Sequence, residues 1–147
     1  MLLLSAGKLS GLDNIPQMEY ILIMEWEIVY HDEYEIWFAL LEKEDKALYL
    51  EILAQLKVLA QLGPSLGRPR VDTLKDSKFK NMKEFRIQHK GEPIRIFFAF
   101  DPKRQAVLLV GGNKVGNEKR FYTENIPIAD KRYQEHLDEL GKEENND

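Results

Sequence analysis

Two arginines interrupt otherwise apolar stretches: Arg86 in KEFRIQH and Arg95 in PIRIFFAF. Both stretches read as β-strands, in which successive side chains point to opposite faces. Ile94, Ile96, Phe98 and Phe100 then share one face, and Arg95, Phe97 and Ala99 the other. On the preceding strand Phe85 and Ile87 point to the core, while Arg86 and Gln88 point away from it. A turn at Lys90–Pro93 sets Gln88 opposite Arg95 and makes Arg86 its diagonal neighbour. Gly111-Gly112, on the next strand, come beside Arg95 and leave room over it. Two guanidinium groups held close favour an anion between them, and their forked donors match phosphate oxygens. Lys75, Lys78, Lys80 and Lys83 line one rim of the expected cleft; Lys114, Lys119, Arg120 and Tyr122 line the other. The competing reading makes Arg86 and Arg95 structural partners of Glu84 or Asp101.

The charge distribution supports a basic surface. The chain of 147 residues has a formal net charge of −4, but the charge is segregated. From Arg68 to Arg120 there are 14 Lys/Arg against 6 Asp/Glu. From Glu25 to Glu51 the ratio is 2 to 9, and from Glu124 to Asp147 it is 3 to 8. A basic block of this kind marks either a basic functional surface or a set of unrelated solvated faces; taken together with Arg86 and Arg95 it favours nucleic-acid phosphate. Cysteine is absent, which removes disulfides, thiolate metal sites and a cysteine nucleophile. No P-loop, no carboxylate cluster with metal spacing and no Ser/His/Asp arrangement is present, so no metal or cofactor is expected. No apolar run reaches the roughly 20 residues needed to span a bilayer, so no membrane partner is expected.

The elements that must position these residues follow from periodicity. EWEIVY (25–30) alternates as a strand, and His31-Asp32 can cap the short helix 33–41. A longer helix runs from Glu44 or Asp45 to Leu62, with Leu48, Ile52, Leu56 and Leu59 on one stripe and Gly63-Pro64 as its stop. A short strand at Val71–Leu74 precedes a meander of Lys83–His89, Pro93–Phe100 and Gln105–Gly111. A polar loop then leads to Tyr122, and a last helix spans about 128–140. The order β-α-α-β-β-β-β-α gives an α+β class: an antiparallel sheet with a helical hairpin on one face and a C-terminal helix. Residues 1–23 read as an N-terminal extension ahead of a natural start at Met24, residues 24–140 as the domain, and 141–147 as an acidic tail. His89 reads as a strand-end residue, His31 and His136 as surface or helix-side histidines.

The run LGRPRVDTLKDSKFKNMKEFRIQHKGEPIRIFFAFDPKRQAVLLVGG, followed by KRFY and IPIADKRY, resembles the RelE/ParE superfamily of toxins from type II toxin–antitoxin modules. Within it the chain looks most like the HigB-like, phage-derived branch, over about residues 24–140. The resemblance implies a RelE-like fold and a metal-independent, cytoplasmic mRNA endoribonuclease that in many members acts at the ribosome. It implies a cognate antitoxin, often a helix-turn-helix protein, through which alone operator DNA is contacted. Carried over by position, it implies catalytic roles for Arg86, Arg95, Arg120 and Tyr122, and RNA binding by Lys75, Lys78, Lys80, Lys83, Lys114 and Lys119. Net acidity is a departure from a family that is often basic.

For such cleavage the ribose 2′-OH attacks phosphorus, which needs a base, stabilisation of the phosphorane and an acid for the 5′-oxygen. Tyr122 or a lysine with a lowered pKa is expected as the base, Arg86 and Arg95 as the stabilisers, and Arg120 or Lys83 as the aid to the leaving group. Two alternatives stay open: a ParE-like toxin that binds gyrase, and a non-catalytic member that binds its antitoxin and serves in repression.

Overall fold

The computed structural model describes residues 3–4 and 26–145. Strands β1 (Leu3–Leu4) and β2 (Glu27–Tyr30) are followed by helices α1 (Asp32–Glu44) and α2 (Lys46–Leu62), with a 3-10 turn at Gly63–Ser65. Then come β3 (Val71–Thr73), β4 (Met82–His89), β5 (Glu92–Phe100), β6 (Gln105–Asn113) and helix α3 (Glu118–Asn145). The sheet order is β1-β2-β6-β5-β4-β3. All neighbours are antiparallel except β2, which joins β6 in parallel. The α+β class and the RelE-like arrangement agree with the sequence reading. The expected extension 1–23 lies almost wholly outside the described residues.

Local chemistry explains the helix ends. His31 Nδ1 accepts from the Glu33 N–H at 3.2 Å, and Asp32, Glu33 and Glu35 put negative charge on the first turn of α1. Asp45 caps α2 by accepting from Leu48 N–H at 3.2 Å. Gly63, at φ 54°, ends α2 because only glycine takes that backbone without strain, and Trp26 fills the space a side chain would need. The stripe Leu48, Ile52, Leu56 and Leu59 is buried, as its spacing predicts.

The sheet has a core on each face. On one side α1 and α2 pack Tyr34, Phe38, Leu48, Ile52 and Leu56 against Phe85, Ile87, Ile94, Ile96 and Phe98. On the other, α3 packs Ile126, Ala129 and Tyr133 against Met82, Phe97, Ala99, Val107 and Leu109. The face expected to be open is therefore largely covered, and β5 is apolar on both sides for that reason.

Three sequence expectations change. The β4–β5 turn is the two residues Lys90 and Gly91, both at positive φ (52° and 79°), as a tight type I′ hairpin requires. Pro93 is thus already in the strand, opposite Gln88, and Arg86 stands directly across from Arg95 instead of diagonally. Helix α3 starts at Glu118, about a turn before Tyr122, so the expected loop ends early. Asn117 Oδ1 accepts from Arg120 N–H at 3.0 Å and starts it. Pro127 lies inside the helix without ending it. Third, α3 continues through Leu140 to Asn145, so most of the expected tail is helical.

Candidate active site

Parity and register together build the site. Glu84 and Arg86 on β4 stand opposite Phe97 and Arg95 on β5, so all four side chains share the α3 face. One residue of β6 has no β5 partner between Phe97 and Phe98, a bulge. The bulge restores the parity that puts Gly112 across from Arg95 on that same face. A Cβ on Gly112 would come 2.9 Å from the Phe121 ring. The space expected over the arginines is thus occupied by Phe121 at the start of α3. Gly111 does the same on the other face, where a Cβ would meet Trp37 at 2.2 Å.

At the centre is Glu84, which is 3% exposed. Its Oε1 accepts from Arg86 Nε at 2.8 Å and lies 3.3 Å from Arg95 Nε. That second approach is an ion pair without hydrogen-bond alignment, and Arg95 Nε is buried with no hydrogen-bond partner. Arg95 is held instead by its Nη1, which donates to the Ile94 carbonyl at 2.9 Å. The two guanidinium groups differ in access: the Arg95 side chain is 11% exposed and that of Arg86 is 40%. Arg86 also reaches Asp72 Oδ2 at 3.2 Å, and Asp72 pairs with Arg68 at 3.1 Å. The hydrogen bond to Glu84, ahead of the burial that opposes it, raises the Arg86 pKa further. Arg68, through its hydrogen bond, lowers that of Asp72. The anion expected between the arginines is therefore supplied from within by Glu84. Asp101, the other expected partner, is engaged elsewhere, by His136, Gln105 and the Lys103 N–H.

Tyr122 closes the cluster. Its ring stacks on Phe97, with centroids 5.8 Å apart, and the Lys114 ammonium lies 5.5 Å from the ring centre. Lys114 Nζ also donates to the Tyr122 hydroxyl at 3.5 Å and pairs with Glu118 at 3.3 Å. Burial, then the hydrogen bond and charge of Glu84, push the Tyr122 phenol up to about 12, with Arg95 opposing. Tyr122 is a phenol at neutral pH and therefore a donor, which disfavours the role of base expected for it.

The remaining expected residues divide. Arg120 is exposed on α3 and paired with Glu124 at 2.8 Å, outside the cluster. Lys83 has the parity of Phe85, so it sits on the α1–α2 face, where its Nζ donates to Thr73 Oγ1 at 2.9 Å. It does not line the rim with Arg86. Lys78 and Lys80 are exposed in the β3–β4 loop, which Asp130 of α3 anchors through the Lys78 N–H at 3.0 Å and the Ser77 hydroxyl. Lys75 and Lys119, with Asp76 and Tyr122, line a cavity of about 490 Å³ between that loop and α3. A second cavity, of about 640 Å³, lies at the other half of α3 among His31, Gln105, His136 and Glu139, away from the arginines. His136 is buried, not surface: its Nε2 lies 2.7 Å from Asp101 Oδ2, tying α3 to the β5–β6 turn. Among the described residues no group of three or more His, Asp or Glu could hold a metal ion, and no helix is long and apolar enough to cross a membrane.

Residues 39–134 match the family described as Phage derived protein Gp49-like (DUF891). The chain belongs to this family. It is 52% identical over 98 residues to a Mycobacterium tuberculosis protein named "Putative toxin HigB3", covering 67% of this chain and 82% of that one. It is 47% identical over 94 residues to "Putative toxin HigB2" of the same organism, covering 63% of this chain and 47% of that one. Both names agree with the HigB-like resemblance read from KEFR, the central strand arginine and the RFY stretch. No solved structure matches the chain.

Proposed function

We propose that the protein is the toxin of a type II toxin–antitoxin pair and that it cleaves mRNA. Membership of the Gp49-like family and kinship with two proteins named as toxins support the first part. The observation that carries the second is Arg95, a nearly buried guanidinium with an unpartnered Nε, facing Arg86 and adjoining Tyr122. A buried donor of this kind is costly unless something completes it. A phosphodiester entering from the Arg86 side would complete it and compete with Glu84 for both guanidiniums.

In the proposed reaction the 2′-oxygen bonds to phosphorus as its proton passes to the Glu84 carboxylate, displaced from the arginines by the phosphate. Arg86 and Arg95 stabilise the charge on the phosphorane oxygens, as always-protonated donors that are poor acids. The bond from phosphorus to the 5′-oxygen then breaks, and the Tyr122 phenol gives that oxygen its proton. The products are a 2′,3′-cyclic phosphate and a 5′-hydroxyl end. Lys75, Lys78, Lys80, Lys114 and Lys119 contact flanking phosphates, and ribosomal positioning contributes by orienting the substrate. A cognate antitoxin neutralises the toxin.

Purified protein incubated with RNA, alone and on programmed ribosomes, tests this. The expected result is a discrete cut with a 2′,3′-cyclic or 3′-phosphate end, persisting in EDTA where ribosomes are absent. Growth arrest on expression without any new RNA ends would refute the nuclease and leave the toxin. A second reading has its own support: Arg86 and Arg95 both pair internally with Glu84, as in a toxin that only binds a target such as gyrase. Gyrase inhibition without cleavage would favour it.

A further inference from the structure

The larger cavity, about 640 Å³ beside the C-terminal half of α3, is rich in hydrogen-bond acceptors. Asp32, Glu135, Asp138, Glu139 and Glu143 line it against one lysine, Lys142. Part of that charge is already engaged: Glu139 pairs with Lys142 at 3.2 Å, Asp138 accepts from Gln134 Nε2 at 3.0 Å, and Glu135 lies 3.7 Å from His31 Nε2. Glu143 has no ion pair among the described residues. Two further side chains of the same lining are fixed by one carboxylate. Asp101 Oδ2 accepts from Gln105 Nε2 at 2.9 Å and lies 2.7 Å from Nε2 of His136, which is 6% exposed. An ionised carboxylate only accepts, so the proton of the neutral His136 ring is on Nε2, and Nδ1 is left as an acceptor. The Gln105 amide oxygen is left in the same way. Among the described residues nothing donates to either atom, and neither is a buried atom without a partner, so both are open to water on residues that line the cavity. Val29 and Leu140 add apolar surface.

We propose that this cavity is a docking site for an arginine side chain of a protein partner. A guanidinium carries five donors and no acceptor, the complement of a wall that offers carboxylates, an imidazole nitrogen and an amide oxygen. Its aliphatic stem packs on Val29 and Leu140. An ammonium fits less well, because it is a compact and strongly hydrated point charge. The sign of the surroundings agrees: from Glu124 to Asp147 there are 8 Asp/Glu against 3 Lys/Arg, a field that favours a basic partner segment. From Glu135 to Glu143 the lining helix rises about 12 Å, longer than one guanidinium, so the residues flanking the arginine have room beside it. The cavity shares no residue with the Glu84, Arg86 and Arg95 cluster, so the site stands whether or not RNA is cut.

The probes are blocked Gly-Ser-Xaa-Ser-Gly peptides with arginine, lysine or citrulline at the centre, citrulline being the uncharged isostere of arginine. Binding to the full chain is followed by NMR through the ring nitrogens of His136, one of only 3 histidines. The free protein at about pH 8 is expected to show Nδ1 without a proton. The arginine peptide is expected to move that resonance saturably and to bind at least about ten-fold tighter than the citrulline peptide, with the lysine peptide between them. Glu143→Gln, an exposed change that leaves the His136–Asp101 pair alone, is expected to weaken the arginine peptide about three-fold and to leave the citrulline peptide unchanged. Propylguanidinium, the side chain without a backbone, is expected to bind more weakly than the arginine peptide. Equal binding of the two would make the cavity a small-cation site and overturn the protein partner. A protonated Nδ1 in the free protein, no movement of the His136 resonance at millimolar arginine peptide, an unchanged arginine affinity in Glu143→Gln, or equal affinity for the arginine peptide and either of the other two also overturns the proposal.

Discussion

The two faces of the sheet are made by the same strands and differ in almost everything else. On the α1–α2 face every buried partner of β4 and β5 is apolar: Phe85, Ile87, Ile94, Ile96 and Phe98. On the α3 face the same two strands carry Glu84, Arg86 and Arg95 beside Met82, Phe97 and Ala99. One face is built for burial alone. The other accepts the desolvation of a carboxylate and a guanidinium, which apolar residues of similar volume would avoid. The contrast separates stability from function: changes on the first face should act on folding, and changes on the second on activity.

The sharpest way to break that division is a truncation on each side. Phe98→Ala removes a fully buried ring from the α1–α2 face and should cost about 3–5 kcal/mol in urea unfolding, with any remaining folded protein fully active. Glu84→Ala should cost less, about 2 kcal/mol, because Arg86 loses one ion pair but keeps Asp72 and can turn to water, while Arg95 loses the one ion pair shown for it among the described residues. Its effect on RNA cleavage should be the greater one, and Glu84→Gln should keep stability near the parent's while losing activity. If Glu84→Gln remains fully active, the carboxylate is structural.

The paired glycines of β6 refine the comparison. Gly111→Ala pushes on Trp37 and Gly112→Ala on Phe121. Each should lower stability by about 1–3 kcal/mol, the typical cost of overpacking. Only Gly112→Ala should also reduce cleavage, since Phe121 is the neighbour of Tyr122 and packs edge-on against it. Equal activity of the two variants would blur the distinction between faces.

The smallest effect concerns His31, outside both cores. Burial lowers its pKa below the ordinary 6.5; Glu135, Asp32 and Glu33 oppose this, and Arg132 adds to it. A lowered folded-state pKa means that the neutral cap contributes fully above about pH 6.5 and is lost as pH falls through the folded value. Thermal unfolding at about pH 7.5 and about pH 5 should therefore show a larger fall for the parent than for His31→Asn, within about 1 kcal/mol. The same fall in both proteins would remove His31 as the cause.

Much of this was legible because alternation in a strand is a strong signal. The division of β5 into Ile94/Ile96/Phe98 and Arg95/Phe97/Ala99 follows from the sequence and matches the two cores. The same parity places Glu84 with Arg86 and sets Lys83 apart from them, so the misplaced Lys83 was avoidable. Register was not legible: Lys90 adopts a positive φ that its residue type does not signal, and this moved Arg86 directly opposite Arg95. Pro127 hid the first two and a half turns of α3, because a proline reads as a boundary although the Asn117 cap and the packing of Phe121 and Ile126 outweigh one lost hydrogen bond. The His136–Asp101 pair joins residues 35 apart, and no local pattern could foretell it.

The central claim is that Arg95 is on the α3 face for the sake of a phosphate, and Arg95→Ala tests it most directly. The variant should unfold at a denaturant concentration close to the parent's, because truncation removes a buried charge along with its incomplete hydrogen bonding. Its RNA cleavage should fall at least about 100-fold, the scale set by losing one transition-state donor. Arg95→Lys should recover only part of that loss, since an ammonium cannot form the two-pronged contact. Cleavage and toxicity equal to the parent's at equal expression would contradict the account and leave Arg95 as a structural partner of Glu84.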